Sequence, residues 1–218
     1  EMCIRDSSEK VDVPVLRSAL DVTVRRFPSI AVRLRRGVFW YYLEQIPNAP
    51  PIEEERSYPL VHVPFDDVRK CAFRVIVYRE RIAVEFFHAV TDGTGGMIFL
   101  KTLVAEYLCQ KYGVQIPAEH GVLGRLEEPS EAELEDSFLR YAGDRKASRK
   151  ESTAWHLSGT REPDGFLNLT TMMLSVEKVK QCAGRYQVSV TEFMAAAMLK
   201  AICEMQAETA VSYTHLRA

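Results

Sequence analysis

Apolar and polar positions change their period several times along the chain, and each change predicts an element. Asp12 suits the cap of a helix whose first turn carries Pro14, and Val15, Leu16, Ala19, Leu20, Thr23 and Phe27 form its apolar stripe until Pro28 ends it. Ser29 to Arg36 alternates as a strand, with Arg33, Arg35 and Arg36 decorating an exposed edge, and Gly37 turns the chain into the aromatic run Val38 to Leu43. Ile46 to Pro59, rich in proline and carrying Glu53-Glu54-Glu55, reads as a surface loop. Cys71 to Tyr78 and Ile82 to His88 are β-rich runs joined around Arg79-Glu80, which predicts an antiparallel hairpin. Alternation in the second run places Ile82, Val84, Phe86 and His88 on one face, so an imidazole falls where an apolar side chain is due.

Asp92-Gly93 breaks that strand, and Thr94, Gly95 and Gly96 lead into a helix striped by Met97, Leu100, Leu103, Val104, Tyr107 and Leu108. From Pro117 to Ser152 the composition shifts to glutamate, arginine and serine, the signature of a long crossover with some helix over Glu131 to Tyr141. Trp155 and His156 follow. Leu167 to Ser175 reads as a strand, and Val176, Val179, Cys182 and Ala183 as a short helix. Ser189-Val190-Thr191-Glu192 fits a capping box for a helix running through Met205.

Composition adds exclusions. The chain has 218 residues, 47% of them apolar, and a formal net charge of −2, values ordinary for a globular protein and without the basic excess that nucleic-acid binding would require. No apolar run approaches a membrane span and no signal peptide is recognisable, so a cytoplasmic setting is expected. The five cysteines, at positions 3, 71, 109, 182 and 203, lack metal or redox spacing and read as reduced, buried thiols.

The two ends carry an anomaly. A codon choice for Glu1 to Asp6 exists whose reverse complement translates as Val211 to Leu216, an inverted repeat that resembles the transposase recognition ends used in preparing sequencing libraries. Residues 1–6 and 211–218 are therefore expected to be adapter remnants, which sets Cys3 and His215 aside.

His88-Ala89-Val90-Thr91-Asp92-Gly93 resembles the His-x-x-x-Asp-Gly motif of the CoA-dependent acyltransferase superfamily, which includes chloramphenicol acetyltransferase, alcohol acyltransferases and peptide-synthetase condensation domains. The resemblance continues in order from Val11 to Met205. It takes in an opening helix ending in Arg26-Phe27-Pro28, a strand pair, and Phe193, Ala196, Ala197 and Leu199 at the start of a second half. Phe39-Trp40-Tyr41-Tyr42 and Thr91 to Gly95 are similar to bacterial alcohol acetyltransferases. Many members carry a second histidine just before the first. Here Phe87 takes that place, which argues against a standard condensation domain.

The resemblance implies an α/β fold of two similar lobes, each a mixed sheet flanked by helices. Residues 7–160 would form the N-terminal lobe and 161–210 the beginning of a C-terminal lobe whose remainder is missing. It implies transfer of an acyl group from acyl-CoA, or from a carrier-protein thioester, to a small alcohol or amine. His88 would be the general base, Asp92 a structural residue paired with an arginine, and Gly93 the turn residue. Acyl-CoA would be a co-substrate, with no permanently bound cofactor, no metal, and no residues assigned to CoA binding. The chain without its second lobe is expected to be inactive.

Simpler readings of the same residues stand beside this one. His88 could be a hydrogen-bonded strand-end histidine and Asp92 only the cap of the next helix. The His88/Asp92 spacing recurs in metal sites but finds no third ligand nearby, and Gly93, Gly95 and Gly96 make a phosphate cradle only with a lysine that is absent. A protein that keeps the acyltransferase fold for binding alone is the alternative function.

Overall fold

The computed structural model describes residues 2–6, 9–55, 63–135, 140–141, 162–163, 166, 168 and 170–208, with residues 2–6 and 206–208 described in backbone only. They belong to two compact units, the first built from residues 1–147 and 162–167 and the second from 148–161 and 168–218.

In the first unit, strands β4 (Ile52–Glu54), β5 (Phe73–Tyr78), β6 (Arg81–Phe86) and β1 (Met2–Asp6) form a mixed sheet in the order β1-β6-β5-β4. The β5–β6 and β6–β1 pairs are antiparallel and β4–β5 is parallel. Strands β2 (Val32–Arg36) and β3 (Tyr41–Gln45) make a separate hairpin, joined to the sheet's start where the Ala72 N–H donates to the Val32 carbonyl at 2.8 Å. Helices α1 (Val13–Arg26) and α3 (Gly93–Tyr112) share one core with one face of the sheet, which gives the expected α/β two-layer arrangement.

Period-two alternation explains which face that is. Phe73, Val75 and Val77 on β5 lie opposite Phe86, Val84 and Ile82 on β6, and all six are buried in the core with Leu16 and Leu20 of α1 and Leu100 and Leu103 of α3. Phe99, fully buried, is the centre of this core. Its ring centroid lies 5.1, 5.3 and 5.6 Å from those of Phe27, Phe73 and Phe86, each in an edge-on arrangement. The other face of the hairpin carries Arg74 opposite Glu85 and Ile76 opposite Ala83.

Several expected elements form as read. Asp12 caps α1, accepting the Val15 N–H at 3.2 Å, and Gly113 closes α3 in the left-handed conformation at φ 67°. Arg33 and Arg35 are not a bare edge, because both donate to Glu44 on the neighbouring strand, at 2.5 and 2.9 Å, and their guanidinium groups hold its carboxyl below the usual range.

Other expectations are corrected. The supposed loop from Ile46 to Pro59 contains β4, a three-residue strand that exists because β5 offers it an open edge. A short helix, α2 (Phe65–Val68), precedes β5. Within the crossover, where helix is expected over Glu131 to Tyr141, α4 spans Glu131–Leu134, boxed by Ser130 and Glu133; Arg140 and Tyr141 are helical as well, and 136–139 lie outside the described residues. Glu133 of α4 clamps the buried Arg26 with contacts of 2.5 and 3.1 Å, while the Arg26 Nε donates to the Gly124 carbonyl at 3.2 Å. A four-residue helix at the protein surface thus acquires a fixed place from an arginine of α1.

Residues 2–6, expected to be foreign, lie along the free edge of β6. An open edge satisfies its backbone groups with any extended segment that reaches it, so this pairing carries no information about origin.

The second unit contains α5 (Val176–Arg185) and α6 (Val190–Glu208). The expected capping box is present, with the Ser189 N–H donating to the Glu192 carboxylate at 2.7 Å and the Glu192 N–H to the Ser189 hydroxyl at 3.2 Å. The strand expected over Leu167 to Ser175 is absent from 168 and 170–175, the described part of it. Alternation supports a strand only beside another strand, and among the described residues none pairs with these. Cys71, Cys109 and Cys182 are free and half-buried, but Cys203 is exposed rather than buried. Trp155 and His156 lie outside the described residues.

Candidate functional site

β6 ends at Phe86, two residues earlier than alternation predicts. The last rung of the hairpin is the Phe87 N–H donating to the Ala72 carbonyl at 2.7 Å, after which the Val90 N–H turns back to the Phe87 carbonyl at 3.0 Å. His88 therefore sits in a turn and is exposed, not at the end of the buried row of Ile82, Val84 and Phe86.

That turn brings His88 to a cavity of about 560 Å3 on the side of the hairpin opposite α1 and α3. The described walls come from α2 (Phe65, Val68), the approach to β5 (Cys71, Ala72), the Arg74–Glu85 cross-strand pair, Phe86 and Phe87 at the end of β6, and Glu53 of β4. Arg74 Nε donates to a Glu85 carboxylate oxygen at 2.6 Å, its Nη2 lies 2.5 Å from the same oxygen, and its Nη1 lies 4.0 Å from a Glu53 carboxylate oxygen. Glu85 is 4% exposed, so a carboxylate has been taken out of water and is held there by the guanidinium. Burial pushes the Cys71 thiol above its ordinary value, which keeps it in the unreactive thiol form.

Asp92 is turned to a different task. Its side chain accepts the Gly95 N–H at 2.8 Å and its carbonyl the Gly96 N–H at 2.9 Å, so it caps α3. Among the described residues no arginine or lysine pairs with it. Gly93 opens α3 and is not among the residues with positive φ. The glycine with a steric reason is Gly95, where a Cβ would meet the Thr91 hydroxyl oxygen at 2.2 Å. His88, Asp92 and Gly93 are thus held within one turn and one helix start, with the imidazole on the cavity rim and the carboxylate on the helix backbone.

The cavity and its Arg74–Glu85 couple escaped sequence reasoning, although a signal was present. A tight turn at Arg79-Glu80 fixes the hairpin register and sets Arg74 directly opposite Glu85. Among the described residues no group of three His, Cys, Asp or Glu side chains could hold a metal ion, and no helix is long and apolar enough to cross a membrane.

No protein-family profile matches the chain, and no curated protein matches it. Solved structures do. The SgcC5 protein from Streptomyces globisporus aligns at 18% identity over 53% of this chain and 31% of its own, with a TM-score of 0.40. Polyketide synthase associated protein 5 from Mycobacterium tuberculosis aligns at 16% identity over 52% of this chain and 29% of its own, with a TM-score of 0.37. VibH, an NRPS condensation enzyme, aligns at 22% identity over 54% and 31%, with a TM-score of 0.36. The chain spans about 30% of the length of these structures. The likeness is partial and concerns the path of the chain, so the functional argument rests on His88 and its cavity.

Proposed function

We propose that this chain carries the general base of an acyltransferase, moving an acyl group from acyl-CoA or a carrier-protein thioester to a hydroxyl or amine. One observation carries the reading. The turn after β6 holds His88 at the rim of a cavity large enough for a small acceptor, while Asp92, four residues on, is consumed by helix capping. The place of His88 supports the role of base that the resemblance implies for it, whereas Asp92 serves as a helix cap and, among the described residues, has no arginine beside it. An imidazole nitrogen can take a proton from an attacking hydroxyl or amine and return it to a leaving group.

In the proposed step His88 takes the proton of the acceptor O–H or N–H as the heteroatom attacks the thioester carbonyl. The tetrahedral intermediate then collapses, the C–S bond breaks, and the departing thiolate takes a proton from the imidazolium. Because a thioester is already activated, no covalent enzyme intermediate is needed. The reading includes a second lobe to close the site and complete binding of acyl-CoA.

Transfer is therefore measured on the full gene product, using acetyl-CoA and longer acyl-CoAs against a panel of alcohols and amines. His88→Ala should lower the rate by roughly two to four orders of magnitude with its thermal unfolding unchanged. Asp92→Ala should chiefly lower the unfolding temperature, by removing a cap contributing about 1 kcal/mol. Near wild-type transfer by His88→Ala would refute His88 as the base, and absence of transfer by the full gene product would replace the enzymatic reading with that of a binding module.

A further inference from the structure

The β2–β3 hairpin presents an apolar surface that the proposed reaction does not use. We propose that its tip, Val38 to Tyr42, is a peripheral membrane anchor, in which Val38 and Phe39 enter the headgroup boundary of a bilayer while Arg35 and Arg36 meet anionic phospholipid headgroups.

Exposure rises along the ribbon from base to tip. Leu34 near the base is buried, at 8%, Tyr41 beside the turn is 55% exposed, and Phe39 within the turn is 90% exposed. Val38 to Leu43 are consecutive, apolar and all exposed, whereas exposed apolar side chains ordinarily occur singly. The turn is also held in shape. The Gly37 N–H donates to the Trp40 carbonyl at 2.7 Å, and Gly37 lacks a Cβ that would stand 3.0 Å from that oxygen and 3.5 Å from the indole nitrogen. Tyr41 is braced edge-on by Phe65 of α2, with ring centroids 5.7 Å apart. An ordered turn presents its side chains without a further loss of backbone freedom on binding.

Register decides what kind of surface this tip fits. Arg36 pairs with Tyr41 and Arg35 with Tyr42, so each face of the ribbon carries an arginine and a tyrosine just behind the turn. A docked protein covers one face of such a ribbon, whereas a bilayer surrounds the tip and meets both. The charge is complementary to an anionic surface. Arg33 and Arg35 share the carboxylate of Glu44, and Arg36 has no counter-ion among the described residues, so the hairpin is positive. Asp66 and Asp67 of α2, next to Phe65, are matched by Arg69 and Lys70, at 3.8 and 2.9 Å. Residues 56–62, outside the described residues, contain no aspartate or glutamate.

The spacing fits as well. Phe39 follows Arg36 by three residues, a reach of at most about 10 Å at the strand rise, and interfacial apolar surfaces sink roughly 5 to 10 Å below the headgroups. Arg35 and Arg36 therefore stay at phosphate level when Phe39 is immersed. Trp40, Tyr41 and Tyr42 fall between, at the depth where indole and phenol rings settle.

The 218-residue chain is titrated with vesicles of phosphatidylcholine alone and with vesicles about one quarter phosphatidylserine, and binding is read by cosedimentation. A Trp155→Phe background leaves Trp40 as the reporter, since the chain has two tryptophans. The chain should bind the anionic vesicles more tightly, with a blue shift of Trp40 emission and quenching by lipids brominated near the headgroup. Val38→Ser combined with Phe39→Ser should weaken binding by about tenfold or more, and Arg36→Gln by about fivefold on the anionic vesicles alone. These side chains are exposed, so thermal unfolding of the variants should be unchanged. Met198→Glu combined with Leu199→Glu, on the exposed part of α6, should leave both binding and the Trp40 shift unaltered. Failure to bind either vesicle overturns the proposal, as do equal binding to both, binding that survives the tip variant, and binding lost in the α6 variant. If vesicles are not bound and the tip variant abolishes self-association in sedimentation velocity, the surface is a contact between copies and the membrane reading is refuted. None of these readouts involves acyl transfer, so the proposal stands or falls apart from the role of His88.

Discussion

The Arg26–Glu133 clamp predicts an asymmetry between its two partners. Arg26 is 5% exposed, whereas the Glu133 side chain is 41% exposed, so the two groups have given up very different amounts of hydration. Glu133→Gln leaves a guanidinium in the interior without its counter-charge. Breaking a fully buried pair from one side costs about 3 to 5 kcal/mol, and the water that reaches this glutamate lowers the expected cost to about 1 to 2 kcal/mol. Arg26→Met removes the buried charge and returns Glu133 to solvent, leaving chiefly the Gly124 carbonyl to find another donor, so it should cost less than about 1 kcal/mol. Once Arg26 is gone, adding Glu133→Gln should change little. The pair also sets a pH dependence. The Arg26 guanidinium, helped by the Ser130 backbone and hydroxyl, lowers the Glu133 pKa, so its folded value lies below its unfolded one. Its contribution is then fully present above the ordinary glutamate range and is lost as pH falls through the lowered value. Urea unfolding of the four proteins, followed by circular dichroism between pH 3 and pH 7, measures both effects. Equal costs for the two single variants, or a gap between wild type and Glu133→Gln that widens toward acid, would refute the reasoning.

Three further outcomes are expected. Gly95→Ala should destabilise by about 1 to 2 kcal/mol because its Cβ meets the Thr91 hydroxyl oxygen at 2.2 Å, and Thr91→Ala in the same chain should recover most of the loss in a thermal melt. Phe99→Ala, which empties the centre of the aromatic core, should cost about 3 to 5 kcal/mol, read as a lower urea midpoint with little change in slope. Met198 and Leu199 of α6 are 62% and 49% exposed, so the chain alone should self-associate; sedimentation velocity should show it, and replacing both with glutamate should reduce it.

How much was legible follows from whether a feature depends on its neighbours in sequence or on partners distant from it. The caps at Asp12 and Ser189 are local and formed as read, and so did the alternation of β5 and β6 as far as Phe86, where β6 ends. The strand expected over Leu167 to Ser175 had the right local pattern but no partner strand among the described residues, while β4 had a poor pattern and an open edge beside it. Arg26 entered the sequence reading only as part of Arg26-Phe27-Pro28, because its partners Gly124 and Glu133 lie about a hundred residues away. Phe99 dropped out of the expected stripe of α3 because the helix buries more than one face, so periodicity alone could not rank its positions.

The same distinction decides what His88 is able to do. Continued alternation would have sent the imidazole to the Phe86 side of the sheet, among Phe27, Phe73 and Phe99, where a base has neither room for an acceptor nor water to carry its charge. Instead the Ala72 carbonyl takes the last rung of the ladder and the Phe87 carbonyl reverses the chain at Val90. The imidazole is thereby released to the opposite side, beside Arg74 and Glu85. Ending the strand two residues early is what converts a misplaced core histidine into a group at the mouth of a cavity.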